Sequence, residues 1–407
     1  MNLNLKTNSK LSPPRWIYAL GGILLLTLAG LIYAWSVFVA PLEAEFGWSR
    51  SETSLTFSIC MSFFCLGGLS AGFLSKKKSS RFNMLLAAIF LLIGFTTSAQ
   101  VKTLGSLYFS YGVLCGFGVG LVYNTVISTV TKWFTDKQGF ISGILLMGFG
   151  FGGMLLGQIA TKLMNTIGWR STFIAFGIVF SLLMVVGALM LKAPSPDFKI
   201  DSMKGQESKI TEFTMELTPK EMVKRPSFYL FMTWAVLLSS AGLALIGHAT
   251  PCAMLLGAGP SLATTAAGLI SIFNGLGRVL FGYLFDAIGR KKTMLLINII
   301  FLFATGSLIL AISTSNLVVL IIAYLLTGLS YGGAPLSCSA FANKFYGKKN
   351  YPINFAIINL NLILAAFLGP YLAGVLQTAS GTYLSTFICM FAFGIFALIC
   401  NKLIKRP

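Results

Sequence analysis

Charged residues are scarce in this chain. Only 10% of its 407 residues are charged, 56% are hydrophobic, and the mean hydropathy is +0.82. Soluble globular domains carry about 25% charged residues, so this composition excludes that class. Acidic residues and histidine are few, with 11 Asp and Glu and 1 His. An enzyme needs a nucleophile with a base, paired carboxylates or a metal cluster, and the apolar segments offer none of these.

Paired cysteines and nucleotide-binding loops are also missing. The 7 cysteines lie in apolar stretches without a CxxC pair, and they read as small packing residues. Without clustered Cys, His or carboxylates we predict no metal site and no cofactor. The chain has no G-x4-G-K-[ST] loop, which excludes an ATP-driven pump.

Long apolar runs fill most of the sequence and predict an all-α integral membrane protein with twelve transmembrane helices. No cleavable secretory signal is expected, because the first run exceeds the apolar core of a signal peptide. The predicted spans are residues 16–40, 53–74, 83–100, 104–131, 139–163, 171–191, 227–256, 264–286, 293–312, 317–341, 351–377 and 382–401.

A polar segment at residues 193–225 interrupts the apolar runs after the sixth span. It divides the chain into an N-terminal six-helix half, 1–192, a cytoplasmic linker, 193–225, and a C-terminal six-helix half, 226–407. Lys132-Trp-Phe before the fifth span echoes Lys344-Phe-Tyr before the eleventh. The echo indicates an internal repeat, although short apolar matches also recur by chance in polytopic proteins.

The 30 lysines and arginines concentrate in alternate loops. Basic residues mark the cytoplasmic side of membrane proteins, so this pattern predicts a multi-pass protein of the cell (inner) membrane with both termini in the cytoplasm. The net charge of +19 is thus explained by the basic cytoplasmic loops, and no nucleic-acid partner is expected. Anionic membrane lipids are expected contacts of the basic loops.

The loop between the eighth and ninth spans resembles the signature G-x-x-x-D-x-x-G-R-K of the major facilitator superfamily. Gly282, Asp286, Gly289 and Arg290 match its fixed positions. Asp286 could cap a neighbouring helix or pair with a basic residue. The first half departs from the pattern, with Lys76 where the family has aspartate, so a gating latch between the second and third spans is not expected there.

A second resemblance runs along the whole chain. Tyr33–Ser49, Lys132–Gly143 and Gly168–Phe173 resemble the oxalate/formate antiporter family and its related bacterial monocarboxylate transporters. This resemblance implies the major facilitator fold and exchange or proton-linked movement of small carboxylates. It also implies a substrate-binding arginine in the eighth helix, a position that Arg278 matches.

Arg278 is the one charged side chain deep inside an apolar run. A cation costs about 2.5–3.5 kcal/mol at mid-membrane, so it usually meets a counter-charge. No intramembrane carboxylate is present, so the substrate could bring the negative charge. Asn274, one turn earlier on the same face as Ser271, could bind the same ligand. Alternatively, backbone carbonyls or asparagines satisfy the arginine.

Four further polar side chains are candidate substrate-binding residues: Tyr123, Tyr331, His248 and Tyr383. The tyrosines could donate to a carboxylate, or they could be ordinary packing aromatics. His248 is the candidate proton-coupling residue because it titrates near neutral pH, and the alternative is a neutral hydrogen-bonding role.

The expected function is secondary active transport of small monocarboxylates (lactate, formate, pyruvate or acetate) by alternating access, through proton symport or anion exchange. The resemblance implies a second basic residue in the eleventh helix of oxalate carriers, and Ile353–Asn361 contains none. An oxalate/formate-type dicarboxylate antiporter is the alternative, and an anion channel or a transporter-derived sensor is the alternative from another class. A monomer is the expected oligomeric state.

Overall fold

The computed structural model describes residues 15–195 and 216–405, which fold into long helices. Within these ranges eleven helices are long and apolar enough to cross a membrane. We number the spanning helices α1 (Arg15–Ala29, Gly30–Ala34 and Trp35–Phe46 in series), α2 (Arg50–Leu74), α3 (Ser80–Ser98), α4 (Leu104–Leu107, Tyr108–Cys115 and Gly116–Val130 in series), α5 and α6 (both within Gln138–Met190), α7 (Pro226–Leu255), α8 (Pro260–Ala287), α9 (Gly289–Ser313), α10 (Leu317–Tyr346), α11 (Tyr351–Asn359 and Asn361–Ser380) and α12 (Leu384–Leu403).

Eleven candidate helices are found rather than twelve because two of the predicted spans form one continuous helical segment. Gln138–Met190 is continuous except at Gly168, whose φ of 78° and ψ of 163° are not helical. Side chains with a Cβ rarely adopt that conformation, so glycine is needed at this turn. The segment therefore supplies α5 before Gly168 and α6 after it. The prediction of an all-α membrane fold with twelve spans is confirmed.

Three spanning helices change their winding along their length. α1 contains a 3₁₀ turn at Gly30–Ala34, α4 contains a π-helical stretch at Tyr108–Cys115, and α11 breaks at Leu360. At this break the Asn361 side chain donates to the carbonyl of Ile358 at 2.7 Å. The side chain thus satisfies a backbone oxygen near the interruption.

Glycines let two pairs of helices pack backbone to backbone. A methyl group at Gly116 or Gly120 of α4 would clash with carbonyl oxygens of α2, and one at Gly328 or Gly332 of α10 would clash with carbonyl oxygens of α8. Small residues permit this close approach in membrane bundles. The second and fourth helices of each half are therefore packed alike.

The bundle has two chemically different ends. We call the end formed by residues 75–79, 131–137, 191–195, 216–225 and 347–350 the basic end, because most of the lysines and arginines outside the helices lie there. At the opposite end Glu45 accepts hydrogen bonds from Arg170 and from Trp169 Nε1, the latter at 2.8 Å. The Arg170 guanidinium and then the Trp169 ring lower the pKa of Glu45. This cluster fastens α1 to the turn between α5 and α6.

The predicted linker at 193–225 lies largely outside the described residues, but its last part is bound to the start of α11. The Glu216 carboxylate accepts from the backbone N–H groups of 348 and 349 at 3.0 and 2.7 Å. The carbonyl of Leu217 accepts from the side chains of Asn350 and Asn354, both at 3.1 Å. The end of the linker is therefore attached to the C-terminal half before α7 begins.

Candidate functional site

Arg278 lies in α8 roughly 13 Å from its basic end, at about 1.5 Å per residue, and its exposed fraction is only 5%. Its side chain crosses to α5, where Nη1 donates to the carbonyl of Leu146. A methyl group at Gly150 would lie 3.1 Å from Nη1 and 3.3 Å from Cζ. The guanidinium therefore rests on a surface of α5 that glycine leaves open.

The charge of Arg278 has no carboxylate partner in the described part of the chain. The ion pairs there join Arg15 to Asp136, Arg170 to Glu45 and Lys344 to Asp286. Nε of Arg278 is buried without a hydrogen-bond partner. Because an unpaired buried charge is costly, this half-satisfied guanidinium is the centre of the candidate site.

Three tyrosines from three other helices lie near this charge. Tyr33 of α1 contacts the guanidinium through its side chain, and the electrostatic influence of Arg278 reaches Tyr123 of α4 and Tyr331 of α10. Tyr123 and Tyr331 are 4% and 5% exposed. Tyr33 is less buried than these two and keeps part of its surface accessible.

Aromatic rings form the wall of this site. The Phe149 ring of α5 lies 5.2 Å from Tyr33 and 5.0 Å from Tyr123, and Phe64 of α2 lies 4.9 Å from Tyr123. Phe355 of α11 stacks on Tyr123 at 6.0 Å. The centre of the bundle thus offers one cation and phenol groups in otherwise apolar surroundings, which suits a small organic anion.

Two of the predicted α8 residues lie together. Asn274 is 5% exposed like Arg278, and its carbonyl lies against Gly332 of α10. Ser271 is exposed instead. Packing also involves Tyr331, because a methyl group at Gly242 of α7 would clash with its ring.

His248 and Tyr383 lie together, away from these contacts of Arg278. His248 Nδ1 is 3.2 Å from the Tyr383 hydroxyl, and His248 Nε2 is 3.2 Å from the carbonyl of Pro370. A carbonyl only accepts, so Nε2 carries hydrogen. These contacts belong to α7, α11 and α12 and give both ring nitrogens of His248 a polar partner.

The side chains of two asparagines in α11, Asn354 and Asn361, donate hydrogen bonds to backbone carbonyls. Asn354 holds Leu217 of the linker, and Asn361 spans the break in α11 while its oxygen accepts from Ser239 at 3.3 Å. Asn359, 5% exposed, has its carbonyl 3.4 Å from Cys65 Sγ of α2. Of these asparagines, Asn359 therefore lies at the contact between the two halves.

The loop residues of the sequence motif join the two halves at the basic end. Asp286 accepts from the backbone N–H of Phe140 at 2.9 Å and pairs with Lys344 at 3.1 Å. Gly282 lies against the carbonyl of Gly139. Gly289 adopts a φ of 78°, which lets α9 begin immediately after α8. The carboxylate thus caps the N-terminus of α5.

Arg290 lies over aromatic rings of α10. Its guanidinium carbon is 5.0 Å from the centre of the Phe345 ring and 6.0 Å from that of Phe341. Nη2 donates to the carbonyl of Ile404 at 3.4 Å. Arg290 therefore links α9, α10 and the end of α12 within the C-terminal half.

The first half builds a different contact at the place of the motif. Gly72 of α2 packs against Pro352 at the start of α11, and Asn124 Nδ2 donates to the Pro352 carbonyl at 2.9 Å. Lys76 cannot cap α11 as Asp286 caps α5. Instead the carboxylate of Glu216 reaches the backbone just before α11.

Arg278 itself has no counterpart in the first half. Gly67 of α2 and Gly277 of α8 both pack against a carbonyl oxygen, of α4 and α10 respectively. The next residue is Gly68 in α2 and Arg278 in α8. The side chain that brings positive charge to the centre is therefore carried by one half alone.

Sequence reasoning missed Tyr33, Phe149 and the open surface at Gly150. Tyr33 begins the block that carries the family resemblance, and Gly150 belongs to the glycine-rich run at 148–153. These sequence features identify the positions, but they do not show that the residues face Arg278. Within the described residues no cluster of His, Cys, Asp or Glu could hold a metal ion.

The fold is that of a known class of membrane transporter. Residues 20–255 and 232–407 match the family described as the Major Facilitator Superfamily. The chain belongs to this superfamily. The structure of the proton:xylose symporter XylE bound to 6-bromo-6-deoxy-D-glucose shares the fold, with a TM-score of 0.72, 16% identity, and coverage of 96% of this chain and 97% of that one.

Two groups of carboxylate carriers are similar in sequence. The oxalate:formate antiporter of Oxalobacter formigenes is 25% identical over 368 residues, which cover 88% of this chain and 85% of the antiporter. Monocarboxylate transporter 12 of Rattus norvegicus is 27% identical over 278 residues, which cover 62% of this chain and 56% of that protein. The resemblance predicted from the sequence blocks is confirmed.

Proposed function

We propose that this chain transports small monocarboxylates, such as lactate, formate, pyruvate or acetate, by alternating access coupled to protons or to anion exchange. One observation carries the proposal: Arg278 is buried at the centre of the bundle and has no carboxylate partner in the described residues. The anion that completes the site is then the substrate.

The orientation of Arg278 suits a carboxylate. Nη1 is engaged by Leu146, and Nε has no hydrogen-bond partner. A guanidinium can offer two parallel donors to a carboxylate, whose two oxygens accept at matching spacing. Tyr33, Tyr123 and Tyr331 would donate to the same anion or enclose its apolar part. Asn274 would support the guanidinium from one turn away.

Charge balance favours a monoanion. Arg278 supplies one positive charge, and the stretch Ile353–Asn361 of α11 contains no lysine or arginine. A second carboxylate would lose its hydration without a cationic partner. The similarity to an oxalate:formate antiporter favours the second candidate, a dicarboxylate exchanger. An anion channel and a carboxylate sensor are further alternatives, because both can reuse a central anion site.

The contacts between the halves support alternating access. Asp286 with Phe140, Ser339 with Ser142 at 3.1 Å, and Asn124 with the start of α11 join them at the basic end. We infer that this form is closed at the basic end, which the charge pattern assigns to the cytoplasm. Transport would require these contacts to separate while others form at the opposite end.

Counterflow in proteoliposomes tests the proposal. Labelled lactate should enter faster when unlabelled lactate is present inside, as in a carrier, whereas a channel would pass current without this acceleration. Formate and acetate should compete with the label more strongly than oxalate at a pH where oxalate is fully ionised. Tighter binding of oxalate than of all three monocarboxylates would overturn the charge-balance argument in favour of the dicarboxylate exchanger.

A designed cation provides a second test. Asn359→Lys should raise the relative affinity for oxalate, because it adds a positive charge where α11 meets α2. Asn354→Lys is the matched control, since Asn354 faces the linker at Leu217. Equal oxalate preference in the two variants would contradict a site between the halves near Asn359.

A further inference from the structure

A cavity of about 370 Å³ lies at the basic end between α2, α3, α4 and α6. Its lining includes no aspartate or glutamate. The basic lining residues are Lys78, Arg81, Lys132 and Lys192, and the hydroxyl-bearing ones are Ser75, Ser79, Ser80, Ser128 and Thr129. Positive charge and hydrogen-bonding groups thus converge on a space large enough for a small ligand.

The walls of this cavity are held in place by contacts within the N-terminal half. The Ser80 hydroxyl donates to the carbonyl of Leu191 at 3.2 Å, and Trp133 Nε1 donates to the carbonyl of Lys192 at 2.8 Å. These bonds tie the end of α6 to α3 and α4. The cavity is therefore distinct from the centre at Arg278, which uses both halves.

The basic residues of the cavity lack acidic partners in the described part of the chain. None of the ion pairs found there includes Lys78, Arg81, Lys132 or Lys192. Mutual repulsion among four cations is relieved by a bound anion, and hydroxyl groups add donors to its oxygens. A phosphate ester has the charge and the number of acceptors that this lining can use.

The border of the cavity is apolar and exposed. Leu189, which lines the cavity, is 52% exposed, and Phe82, which follows the lining residue Arg81 in α3, is 40% exposed. Lys78 Nζ lies 5.6 Å from the centre of the Phe82 ring. A ligand whose phosphate sits among the cations can therefore extend apolar chains along the outer surfaces of α3 and α6.

We propose that this cavity binds the phosphate headgroup of an anionic phospholipid. The position fits, because the charge pattern places the basic end at the cytoplasmic leaflet, whose surface is negatively charged. The bound lipid would fix the ends of α3, α4 and α6 relative to one another. This inference is independent of the proposed substrate.

Native mass spectrometry of the full-length protein in detergent tests the site, with phosphatidylglycerol as the probe and phosphatidylcholine as the neutral comparison. The variant Arg81→Gln with Lys132→Gln should bind phosphatidylglycerol about thirtyfold more weakly. The variant Lys102→Gln with Lys162→Gln removes the same charge at the opposite end and should bind like the wild type. Arg81→Lys with Lys132→Arg keeps the charge and should retain the lipid.

Three results would overturn the proposal. Equal lipid retention by the two glutamine variants would mean that binding follows overall charge alone. Loss of lipid in the charge-keeping variant would point to damaged packing. Glycerol 3-phosphate that raises the melting temperature as much as phosphatidylglycerol would assign the site to a free phosphate ester, whereas protection by the lipid alone supports the lipid.

Discussion

Replacing Arg278 by lysine separates the charge of the site from its geometry. Lysine retains the positive charge but cannot donate to Leu146 and present a two-donor edge to the substrate at the same time. We expect the variant to insert and fold, because the space beside Gly150 already accommodates arginine and lysine is the smaller side chain. Arg278→Ala removes the charge as well and should abolish carboxylate transport.

The magnitude follows from the lost donor. A hydrogen bond to a charged group contributes about 1.5–3 kcal/mol, so losing one of two lowers the affinity about 10- to 150-fold. The defect should appear mainly as a higher KM for lactate, since both ground and transition states of translocation contain the bound anion.

The assay is exchange of labelled lactate in proteoliposomes that contain equal amounts of each purified variant. Arg225→Lys makes the same substitution at the start of α7 and serves as the control. Wild-type exchange in both Arg278→Lys and Arg278→Ala would refute the reasoning, because the only buried cation in the described spans would then be dispensable for the anion.

Three further outcomes are expected. Gly150→Ala should raise the KM for lactate about tenfold, because its methyl group would lie 3.1 Å from the guanidinium. The control Gly157→Ala, with its nearest contact at 3.4 Å, should leave the KM unchanged. Equal KM values in the two variants would contradict this prediction. Asp286→Asn should lower the free energy of unfolding by about 1 kcal/mol and increase labelling of thiols from the basic end, and unchanged labelling would separate Asp286 from closure. His248→Gln should preserve exchange and accumulation driven by a pH gradient, and loss of accumulation alone would give His248 the coupling proton.

The fold was predictable because a membrane restricts both the single charged residues and the apolar runs that a spanning helix can contain. Apolar length predicted the spans, whereas the direction that the basic loops assign to them stays a prediction. The break between α5 and α6 was predicted between residues 163 and 171, and the structure narrows it to the single non-helical residue Gly168. The local changes in α1, α4 and α11 depend on neighbouring helices, which a one-dimensional pattern does not contain.

The site was predictable only where a residue was out of place in an apolar run. Arg278 stood out for that reason, whereas Tyr33 and Phe149 are ordinary residues for a membrane helix. Their role depends on which way α1 and α5 turn toward α8. His248 also stood out by residue type, yet its partners are Tyr383 and the Pro370 carbonyl rather than the contacts of Arg278.

Gly68 and Arg278 occupy equivalent positions in the two halves, so only one half carries a charge there. This asymmetry has an electrical consequence. With the proposed monoanion bound, the centre is neutral, and reorientation moves little charge through the field of the membrane. The empty centre keeps its positive charge, and an elementary charge that crosses 100 mV changes the energy by about 2.3 kcal/mol. If the protein works as proposed, voltage would act on the return of the empty carrier, and exchange of one anion for another would avoid that step.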